Sequence, residues 1–237
     1  MDAELIRRQS ALEERHWWFR ARADIVRGLV PPGDPGRELL DVGCGWGGLT
    51  QHLVGLGRVR GVEPSEVARE EAARRGLEVL DGTAEAIPVE DATIDVAVVT
   101  DVLEHLDDDA RALRELRRTL RPGGVAVITV PAYEWLFSSH DEALDHRRRY
   151  GKRQLLRRVR EAGLVPERVT HYNTLLFPLI APVRLATRNR PASEDAKPTW
   201  APVNAVLYRL FTSERALMNR RSLPFGLSLA VVARRPA

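Results

Sequence analysis

The feature that most constrains the fold is a regular alternation of short apolar runs with amphipathic segments between residues 38 and 131. The apolar runs are rich in valine, leucine and isoleucine, as in "ELLDV", "TIDVAVV" and "VAVITV". Several of the segments between them have the spacing of a surface helix. Strands that alternate with helices in this way form a mostly parallel sheet covered on both faces. Two later runs, "LVPERVTHY" and "LSLAVVARR", bring the predicted strands to seven.

The regions on either side of this alternation predict a cap and a lid within one domain, residues 1–237. Residues 1–36 have helical spacing that ends at the breaker "PPGDPG", which indicates a helical N-terminal cap. Residues 37–171 make the core of strands and helices. Residues 172–223 are proline-rich and partly helical, which predicts an insertion or lid, and residues 224–237 form the last strand.

Composition limits the classes of protein that fit. No apolar run reaches the roughly 20 residues of a membrane span, and the start of the chain lacks the apolar centre of a signal peptide. A single cysteine excludes an internal disulfide framework and a cysteine zinc site, so a reducing cytoplasm is expected. The net charge of +3 hides an asymmetry, since residues 1–145 carry −11 and residues 146–237 carry +14. The basic third fits either an anionic substrate or surface, or a solvated arginine-rich exterior.

The segment "LLDVGCGWGG" ends the first strand and carries a local signal for a ligand site. Gly43, Gly45 and Gly48 have the G-x-G-x-x-G spacing of a dinucleotide loop, which alone is a weak signal. Glu63 ends the second strand at a suitable distance to hold ribose hydroxyls, so an NAD-dependent oxidoreductase fits to this point. Asp41 would repel a pyrophosphate but would attract a cationic amino-acid group. S-adenosylmethionine has an ammonium, a sulfonium and no phosphate, and therefore fits better.

Four motifs follow one another from about residue 38 to residue 131: "DVGCGWG", "GVEPS", "GTAEAIPVEDATIDVAVVTDVLEHL" and "LRRTLRPGGVAVITVP". In order and spacing they resemble the motifs of class I S-adenosylmethionine-dependent methyltransferases, and "FGLSLAVVARRP" resembles the last strand of that fold. The resemblance implies an α/β, Rossmann-like, doubly wound and mostly parallel seven-stranded sheet. Its last strand would be antiparallel, with a helical N-terminal cap and a lid insertion before that strand. S-adenosyl-L-methionine is the cofactor that the resemblance implies.

The resemblance also assigns residues to this cofactor. They are Asp41, Gly43, Cys44, Gly45, Glu63, Pro64, Thr83, Ala84, Glu85, Asp101 and Val102. Thr83 departs from the family pattern, because many relatives have an aspartate at this place for the adenine amino group. The adenine contact then falls to the Thr83 hydroxyl, the Ala84 backbone N–H or Asp81. Cys44 is expected to be a small buried residue rather than a nucleophile.

Histidines supply the candidates for a catalytic base, which a hydroxyl acceptor needs more than a neutral amine does. His105 follows the fourth strand, while His140 and His146 follow the fifth, where acceptor-binding residues belong in this family. Two pairs, His140 with Asp141 and Asp145 with His146, could each combine a base with an orienting carboxylate. The alternative for His105 is structural packing. No metal is expected, since the chain lacks the carboxylate set of catechol-type methyltransferases.

A further set of residues is expected at the acceptor. It comprises Trp17, Arg22, Asp145, Arg149 and Tyr150. Trp17 belongs to "HWWFRARADIV", which resembles a segment of one subset of the family. Neighbouring side chains on a helix point about 100° apart, so one tryptophan should pack on the core while the other, with Phe19 or Arg22, covers the cofactor or acceptor. Packing of both rings in the core and a membrane foot are the alternatives. The run "HRRRY" shapes the acceptor site, grips an anionic group or packs the next helix.

The expected function is methyl transfer to an oxygen or nitrogen of a small-molecule acceptor, anionic or hydrophobic, in specialised-metabolite or sugar-type biosynthesis. The alternatives are a cofactor-binding partner subunit that does not methylate, an enzyme of the same fold with other chemistry such as cyclisation, and an NAD-dependent oxidoreductase. The apolar stretch "LLFPLIAPVRL" fits an acceptor pocket first, a homodimer or partner-protein contact second, and a membrane surface third. Nucleic acid is not expected, because aromatic residues do not interleave with the basic run.

Overall fold

A computed structural model describes residues 12–188, 190 and 199–237. Seven strands form one sheet in the order β3-β2-β1-β4-β5-β7-β6. They are β1 (Glu38–Val42), β2 (Arg58–Glu63), β3 (Glu78–Asp81), β4 (Ile94–Thr100), β5 (Leu120–Pro131), β6 (Val165–Tyr172) and β7 (Ser228–Arg234). Strand β7 is antiparallel to both of its neighbours, and the other pairs are parallel. The predicted fold class is confirmed, and the order of the strands reverses between β1 and β4.

Helices cover both faces of the sheet. They are α1 (Trp17–Leu29), α2 (Gly48–Leu53), α3 (Glu66–Arg74), α4 (Asp109–Thr119), α5 (Ser139–Ala143), α6 (Lys152–Glu161), α7 (Phe177–Ala186) and α8 (Ala201–Arg220), with 3-10 turns at Leu103–His105 and Glu134–Leu136. On one face Leu113 of α4 packs in a buried cluster with strand side chains, and on the other Ile25 of α1 and Phe211 of α8 pack in a second cluster. Because both faces are covered, the adjacent residues Leu39 and Leu40 of β1 are both fully buried.

Side-chain caps explain where two of the helices begin. The Ser65 hydroxyl accepts a hydrogen bond from the Ala68 N–H at the start of α3. The Asp108 carboxylate accepts one from the Arg111 N–H at 2.9 Å at the start of α4. Both helices therefore start directly after a loop at the carboxyl edge of the sheet, which fixes the loops that carry the candidate site.

The predicted cap packs on part of the predicted lid. Asn204 of α8 accepts a hydrogen bond from the Trp17 N–H of α1 at 2.8 Å, and the Tyr208 hydroxyl donates to Asp24 at 2.6 Å. Helix α8 also buries Phe211 over the sheet. It is therefore part of the layer that covers one face of the sheet.

Helix α7 is the part of the predicted lid that reaches the carboxyl edge. Its Ala181 packs with Leu136, which follows β5, and with Leu227. On the opposite side α7 exposes apolar residues, with Leu179 69% and Val183 58% accessible. In the parts of the chain that the structure describes, no helix is both long and apolar enough to cross a membrane.

Some sequence predictions concern residues without a description. Residues 1–11 of the predicted cap and residues 189 and 191–198 of the predicted lid lie outside the described residues. The part of the cap that is described is helical at residues 12–15 and in α1.

Candidate active site

The candidate site lies at the carboxyl ends of the parallel strands, where the order of the strands reverses. Strand β1 pairs with both β2 and β4, so the loops that follow these three strands share one edge. Asp41 lies near the end of β1, Glu63 ends β2, and Asp101 follows β4. The structure therefore brings three of the predicted cofactor residues to a single edge.

Glycine is required where the loop after β1 meets the loop after β4. Gly43 has a φ of +73°, a conformation that other residues rarely adopt. A Cβ atom on Gly43 would lie 2.4 Å from Cγ2 of Val102, so the two loops pack closely only without a side chain. At Gly45 no atom of the described residues lies within 4 Å of such a Cβ. The backbone at Gly45 is therefore open to a ligand.

Asp41 is a buried carboxylate, and one of its two oxygens accepts no hydrogen bond from the described residues. The residue is 1% exposed, and its Oδ2 accepts a hydrogen bond from the Thr50 hydroxyl at 2.7 Å. Its Oδ1 has no hydrogen-bond partner among the described residues. Burial raises the pKa of Asp41 to about 6, although the Thr50 hydrogen bond acts in the opposite direction. A buried and unpaired oxygen of this kind fits a cationic group such as an ammonium.

Glu63 is held beside the glycine loop by backbone groups. Its Oε2 accepts a hydrogen bond from the Gly45 N–H and its Oε1 from the Ser65 N–H, both at 3.0 Å. Arg69 of α3 donates to the carbonyl oxygens of Glu63 and Pro64 at 2.9 and 2.7 Å. These bonds fix the carboxylate at the place where the sequence predicts binding of ribose hydroxyls.

The predicted adenine segment is a tight turn between β3 and β4. Thr83 and Ala86 form an isolated bridge, and Arg111 donates a hydrogen bond to the carbonyl of Glu85 at 2.9 Å. Ala84 is buried, whereas Thr83 is exposed. The contacts with adenine stay a prediction.

Cys44 is buried under the glycine loop. A Cβ atom on Gly61 would lie 2.5 Å from its sulfur, so the thiol packs directly on β2. Burial raises the pKa of the Cys44 thiol, with the charge of Asp41 acting in the same direction. A protonated and enclosed thiol of this kind is a packing group rather than a nucleophile.

Asp101 connects the edge of the sheet to the cap. It has a φ of +53°, and its N–H donates to the Thr129 carbonyl of β5 at 3.0 Å. Its carboxylate accepts a hydrogen bond from Arg22 of α1 at 2.5 Å. Arg22 in turn lies over the Trp18 ring, with its guanidinium carbon 4.7 Å from the ring centroid. The predicted acceptor residue Arg22 thus reaches the loop after β4.

The two tryptophans face different partners. Trp17 packs edge to face on Phe211 of α8, with ring centroids 5.9 Å apart. Trp18 contacts Arg22 and packs on Phe19 at 5.0 Å. Of the two rings, it is therefore Trp18 that lies next to the Arg22–Asp101 pair. The role predicted for Trp17 at the acceptor stays a prediction, and its observed contact is with α8.

A cavity of about 100 Å³ lies between the cap and helix α2. Phe19, Arg22 and Glu13 line it from the cap side, and Gly48 and His52 from α2. Burial raises the pKa of Glu13, against the attraction of Arg22. The cap thus closes over the start of α2 and leaves this space beside the glycine loop.

Arg147 and Arg148, the arginine clamp, tie the loop before α6 to the turn after β4. Arg147 donates through Nε to the carbonyl of His105 at 2.7 Å. Arg148 donates to the carbonyl of Leu106 at 2.8 Å. Because both guanidinium groups bind protein carbonyls, the run positions the turn that carries His105.

Asp141 organises the loop after α5. It is fully buried, and its Oδ1 lies 3.0 Å from His146 Nδ1 and accepts a hydrogen bond from Arg149 Nε at 2.7 Å. Its Oδ2 accepts one from the Ser138 N–H at 3.0 Å. Burial alone would raise the pKa of Asp141, but the bonds from His146 and Arg149 outweigh it and hold that pKa well below its usual range.

This pairing differs from the one expected from the sequence. Asp141 orients His146 rather than its neighbour His140, and Asp145 adopts a left-handed φ of +56°. Burial lowers the pKa of His140 to about 4, and the nearby Arg184 of α7 contributes. A chain reversal explains the exchange, because the His146 N–H donates to the Asp141 carbonyl at 2.9 Å and brings the two side chains together.

Arg149 and Tyr150 are buried beneath the edge, at 3% and 0% exposure. The Tyr150 hydroxyl lies 2.9 Å from Asp109 and 3.1 Å from the carbonyl of Leu103. The polar groups of both residues are engaged within the protein in positioning roles. Direct contact of either with an acceptor stays a prediction.

Sequence reasoning overlooked Glu104. Its side chain is fully buried beside His105 and His146, and the three residues could together hold a metal ion. Burial and the charge of Asp101 raise its pKa well above the usual value. The available signal was a carboxylate next to a histidine within the apolar run "VLEHL".

The residues of the candidate site also lie in the part of the chain that matches a known family. Residues 40–128 match the sequence profile of a family described as a methyltransferase domain. This range starts in β1 and ends in β5, so it contains the glycine loop, Glu63, the adenine segment and Asp101.

Two curated relatives illustrate the likeness. A probable S-adenosylmethionine-dependent methyltransferase of Mycolicibacterium smegmatis is 32% identical over 161 residues, which cover 66% of this chain and 62% of the relative. An uncharacterized 37.1 kDa protein in transposon TN4556 of Streptomyces fradiae is 30% identical over 217 residues, which cover 81% of this chain and 59% of the relative. The chain thus spans about three fifths of the length of these relatives.

Solved structures share the fold along nearly the whole chain. A methyltransferase in complex with the Haloferax volcanii Trm112 methyltransferase activator is 22% identical, with a TM-score of 0.66 over 99% of this chain and 95% of that chain. At this identity the likeness shows the fold alone. Taken with the family profile and the curated relatives, it leads to one assignment: this chain belongs to the class I S-adenosylmethionine-dependent methyltransferase family.

Proposed function

We propose that this protein transfers a methyl group from S-adenosylmethionine to an oxygen or nitrogen atom of a small-molecule acceptor. The observation that carries the proposal is the buried Asp41, whose Oδ1 has no partner among the described residues. A carboxylate in that place favours a ligand with an ammonium group and disfavours a pyrophosphate. The names of the curated relatives support the same activity.

The residues of the glycine-loop edge have separate tasks in this proposal. Asp41 would hold the ammonium group, Glu63 the ribose hydroxyls, and the open backbone at Gly45 would allow the cofactor to lie close to the chain. Thr83 and Ala84 would border the adenine. S-adenosylmethionine supplies an electrophilic methyl group when it is bound. The further assignments of Cys44, Pro64, Glu85 and Val102 stay predictions.

The acceptor is proposed to lie beyond Asp101, towards α7. Phe177 of α7 packs on Tyr133, which follows β5, with ring centroids 5.7 Å apart, and so offers an apolar wall at this edge. An apolar wall with a few polar groups suits a small organic acceptor. The arginine clamp binds carbonyl oxygens of the protein, which argues for an acceptor that this run does not grip through phosphate groups. Specialised-metabolite or sugar-type biosynthesis is the proposed setting.

His105 and His140 are candidates for the base that accepts the proton of a hydroxyl acceptor. Burial lowers the pKa of His105, with the neighbouring His146 acting in the same direction. His140 has a pKa lowered to about 4. Burial therefore favours the unprotonated form of both imidazoles, but a base is most effective when its pKa lies near the operating pH, so a pKa of about 4 makes His140 a weak base at pH 7. Which of these histidines acts as the base stays a prediction.

Calorimetric titration tests the cofactor, and a transfer assay tests the reaction. We expect S-adenosylmethionine and its demethylated product to bind with micromolar affinity and NAD not to bind. Tight binding of NAD would overturn the proposal. A screen of hydroxylated and amine-bearing small molecules with a methyl-labelled donor then follows. Cofactor binding without transfer to any acceptor would favour the non-methylating partner subunit.

A further inference from the structure

Glu104, His105 and His146, here called the histidine cluster, bring one carboxylate and two imidazoles together at the edge after β4. The potential ligand atoms of the three side chains all lie within 4.8 Å of one another. The two imidazole rings meet edge to face, with centroids 4.8 Å apart. Glu104 and His105 belong to the 3-10 turn after β4, whereas His146 follows α5. The fold, rather than a local motif, assembles the cluster.

Glu104 is the observation that points to a ligand. The residue is fully buried, and no other residue in the described part of the chain donates a hydrogen bond to either carboxylate oxygen. The cations nearby are already paired, Arg22 with Asp101 at 2.5 Å and Arg149 with Asp141 at 2.7 Å. A buried carboxylate without a partner is strongly unfavourable, and a bound cation would supply the missing partner.

The surroundings of the cluster resemble the outer shell of a metal site. Asp141 binds His146 through Nδ1, which leaves Nε2 free to face a ligand. A carboxylate behind a histidine fixes the ring and its tautomer in many metal sites. Arg147, which directly follows His146, links the His146 loop to the turn of Glu104 and His105. Its backbone N–H donates to the Glu104 carbonyl at 2.8 Å and its Nε to the His105 carbonyl at 2.7 Å.

We propose that the histidine cluster binds one divalent transition-metal ion of the zinc type. Two imidazoles and one carboxylate suit Zn²⁺, Co²⁺ or Fe²⁺ better than Mg²⁺ or Ca²⁺, which prefer oxygen ligands. Around a four-coordinate ion with bonds near 2.1 Å, ligand atoms lie roughly 3.4 Å apart. The present spacing of up to 4.8 Å is wider than this value, so ion binding would have to draw the three side chains closer together.

A metal ion bound by the histidine cluster could also bind an acceptor. Three protein ligands would leave at least one position for a water or a hydroxyl oxygen. The ion would then orient a hydroxylated acceptor, and of the three candidate bases only His140 would not be a ligand. This role in orienting the acceptor rests on the proposed function, whereas the binding of the ion does not.

The test is a titration of the metal-free full chain with Zn²⁺ by calorimetry and with Co²⁺ by visible absorption, without S-adenosylmethionine. We expect one ion per chain, a Co²⁺ spectrum with ligand-field bands of nitrogen and oxygen ligands, and no displacement of Co²⁺ by Mg²⁺. Glu104→Gln and His105→Asn should each weaken Zn²⁺ binding by more than about 100-fold, beyond the loss expected for an outer-shell change.

A matched control is His52→Asn. His52 lies 3.4 Å from Asp24, away from the cluster, and its replacement should leave Zn²⁺ affinity unchanged. His105→Asn spares the Asp141–His146 pair, and circular dichroism of each variant verifies that it is folded.

Two results would overturn the proposal. The first is the lack of saturable Zn²⁺ binding by the wild-type chain, which would leave Glu104 as a buried protonated acid. The second is equal Zn²⁺ affinity in the wild-type chain and in both cluster variants, which would assign the ion to another place. Because the titration contains no methyl donor, its failure leaves the proposed function intact. Absence of cofactor binding would likewise leave this inference intact.

Discussion

On the glycine-loop side of the site, residues 41–65, backbone N–H groups hold the carboxylate of Glu63, whereas on the histidine side, residues 101–109 and 138–150, side chains hold the carboxylate of Asp141. The two groups on Glu63 are the N–H of Gly45, in the loop after β1, and the N–H of Ser65, in the loop after β2. Asp141, in contrast, is bound by the side chains of His146 and Arg149. The clamp that positions His105 acts across 42 residues of sequence. We therefore expect substitutions on the first side to alter ligand affinity and substitutions on the second to alter stability.

Replacement of Asp141 should give the largest loss of stability on the histidine side. Asp141→Ala leaves Arg149 buried without its partner, and we expect the free energy of unfolding to fall by about 3–5 kcal/mol. Urea denaturation followed by circular dichroism measures the change. Asp107→Ala is the control, because Asp107 forms an exposed pair with Arg147 and should cost less than about 1 kcal/mol. Equal and small losses for the two variants would mean that buried ion pairs do not hold the histidine side.

Substitutions of the two cap tryptophans should have different effects, one mainly on stability and the other mainly on cofactor binding. Trp17→Ala removes the contact with Phe211 and should lower the free energy of unfolding by about 2–3 kcal/mol, less than for a fully buried ring. Trp18→Ala should cost less stability but weaken cofactor binding, because it removes the ring that supports Arg22. Urea denaturation and calorimetry of both variants give the two quantities. Equal losses of stability with unchanged affinity would favour plain packing for both rings.

Asp41 offers the sharpest test of the glycine-loop side. Asp41→Asn keeps the shape of the side chain but removes its charge, so affinity for the demethylated cofactor should fall by about 2 kcal/mol, or roughly 30-fold. Stability should stay the same or rise, because a desolvated charge is lost. Asp91→Asn is the control, since the Asp91 side chain is 75% exposed and precedes β4, at the opposite edge of the sheet. An unchanged affinity in Asp41→Asn would contradict the assignment of the ammonium group to this carboxylate.

The smallest effect is a dependence on pH. Burial raises the pKa of Asp41 from 3.8 to about 6, and an ammonium prefers the ionised form. Affinity for the demethylated cofactor should therefore fall about tenfold between pH 7 and pH 5. The free energy of unfolding should change in the opposite sense. The folded chain holds the Asp41 proton more tightly than the unfolded chain does, so the contribution of Asp41 to stability decreases as the pH rises from 3.8 to about 6. Calorimetry across this range, with a flat profile expected for Asp41→Asn, measures the difference.

The same contrast explains how much could be predicted from the sequence. Each strand covered on both faces is a short apolar run, so the order of elements and the class of fold follow from the pattern. Gly43 and Glu63 can also be predicted, because the glycine spacing around Gly43 and the place of Glu63 at the end of a strand are local features of the sequence.

The histidine side could not be predicted in this way. The pairing of Asp141 with His146 depends on a chain reversal, and the sequence favours the adjacent partners instead. The turn that carries Glu104 is bound by Tyr150, whose hydroxyl donates to the carbonyl of Leu103, 47 residues away in sequence. Contacts at such separations leave no periodic signal in the chain. A glutamate beside a histidine therefore looks like an ordinary polar helix start.

The contact between the cap and α8 has a consequence for synthesis. Trp17 and Asn204 are hydrogen-bonded across 187 positions, so a growing chain on the ribosome exposes the aromatic face of α1 long before its partner has been made. Strands β1 to β5 lie between them and can pair in the meantime. The packing of α1 on α8 is then among the last events of folding, together with the insertion of β7 between β5 and β6, and α1 exposes its aromatic residues for most of translation.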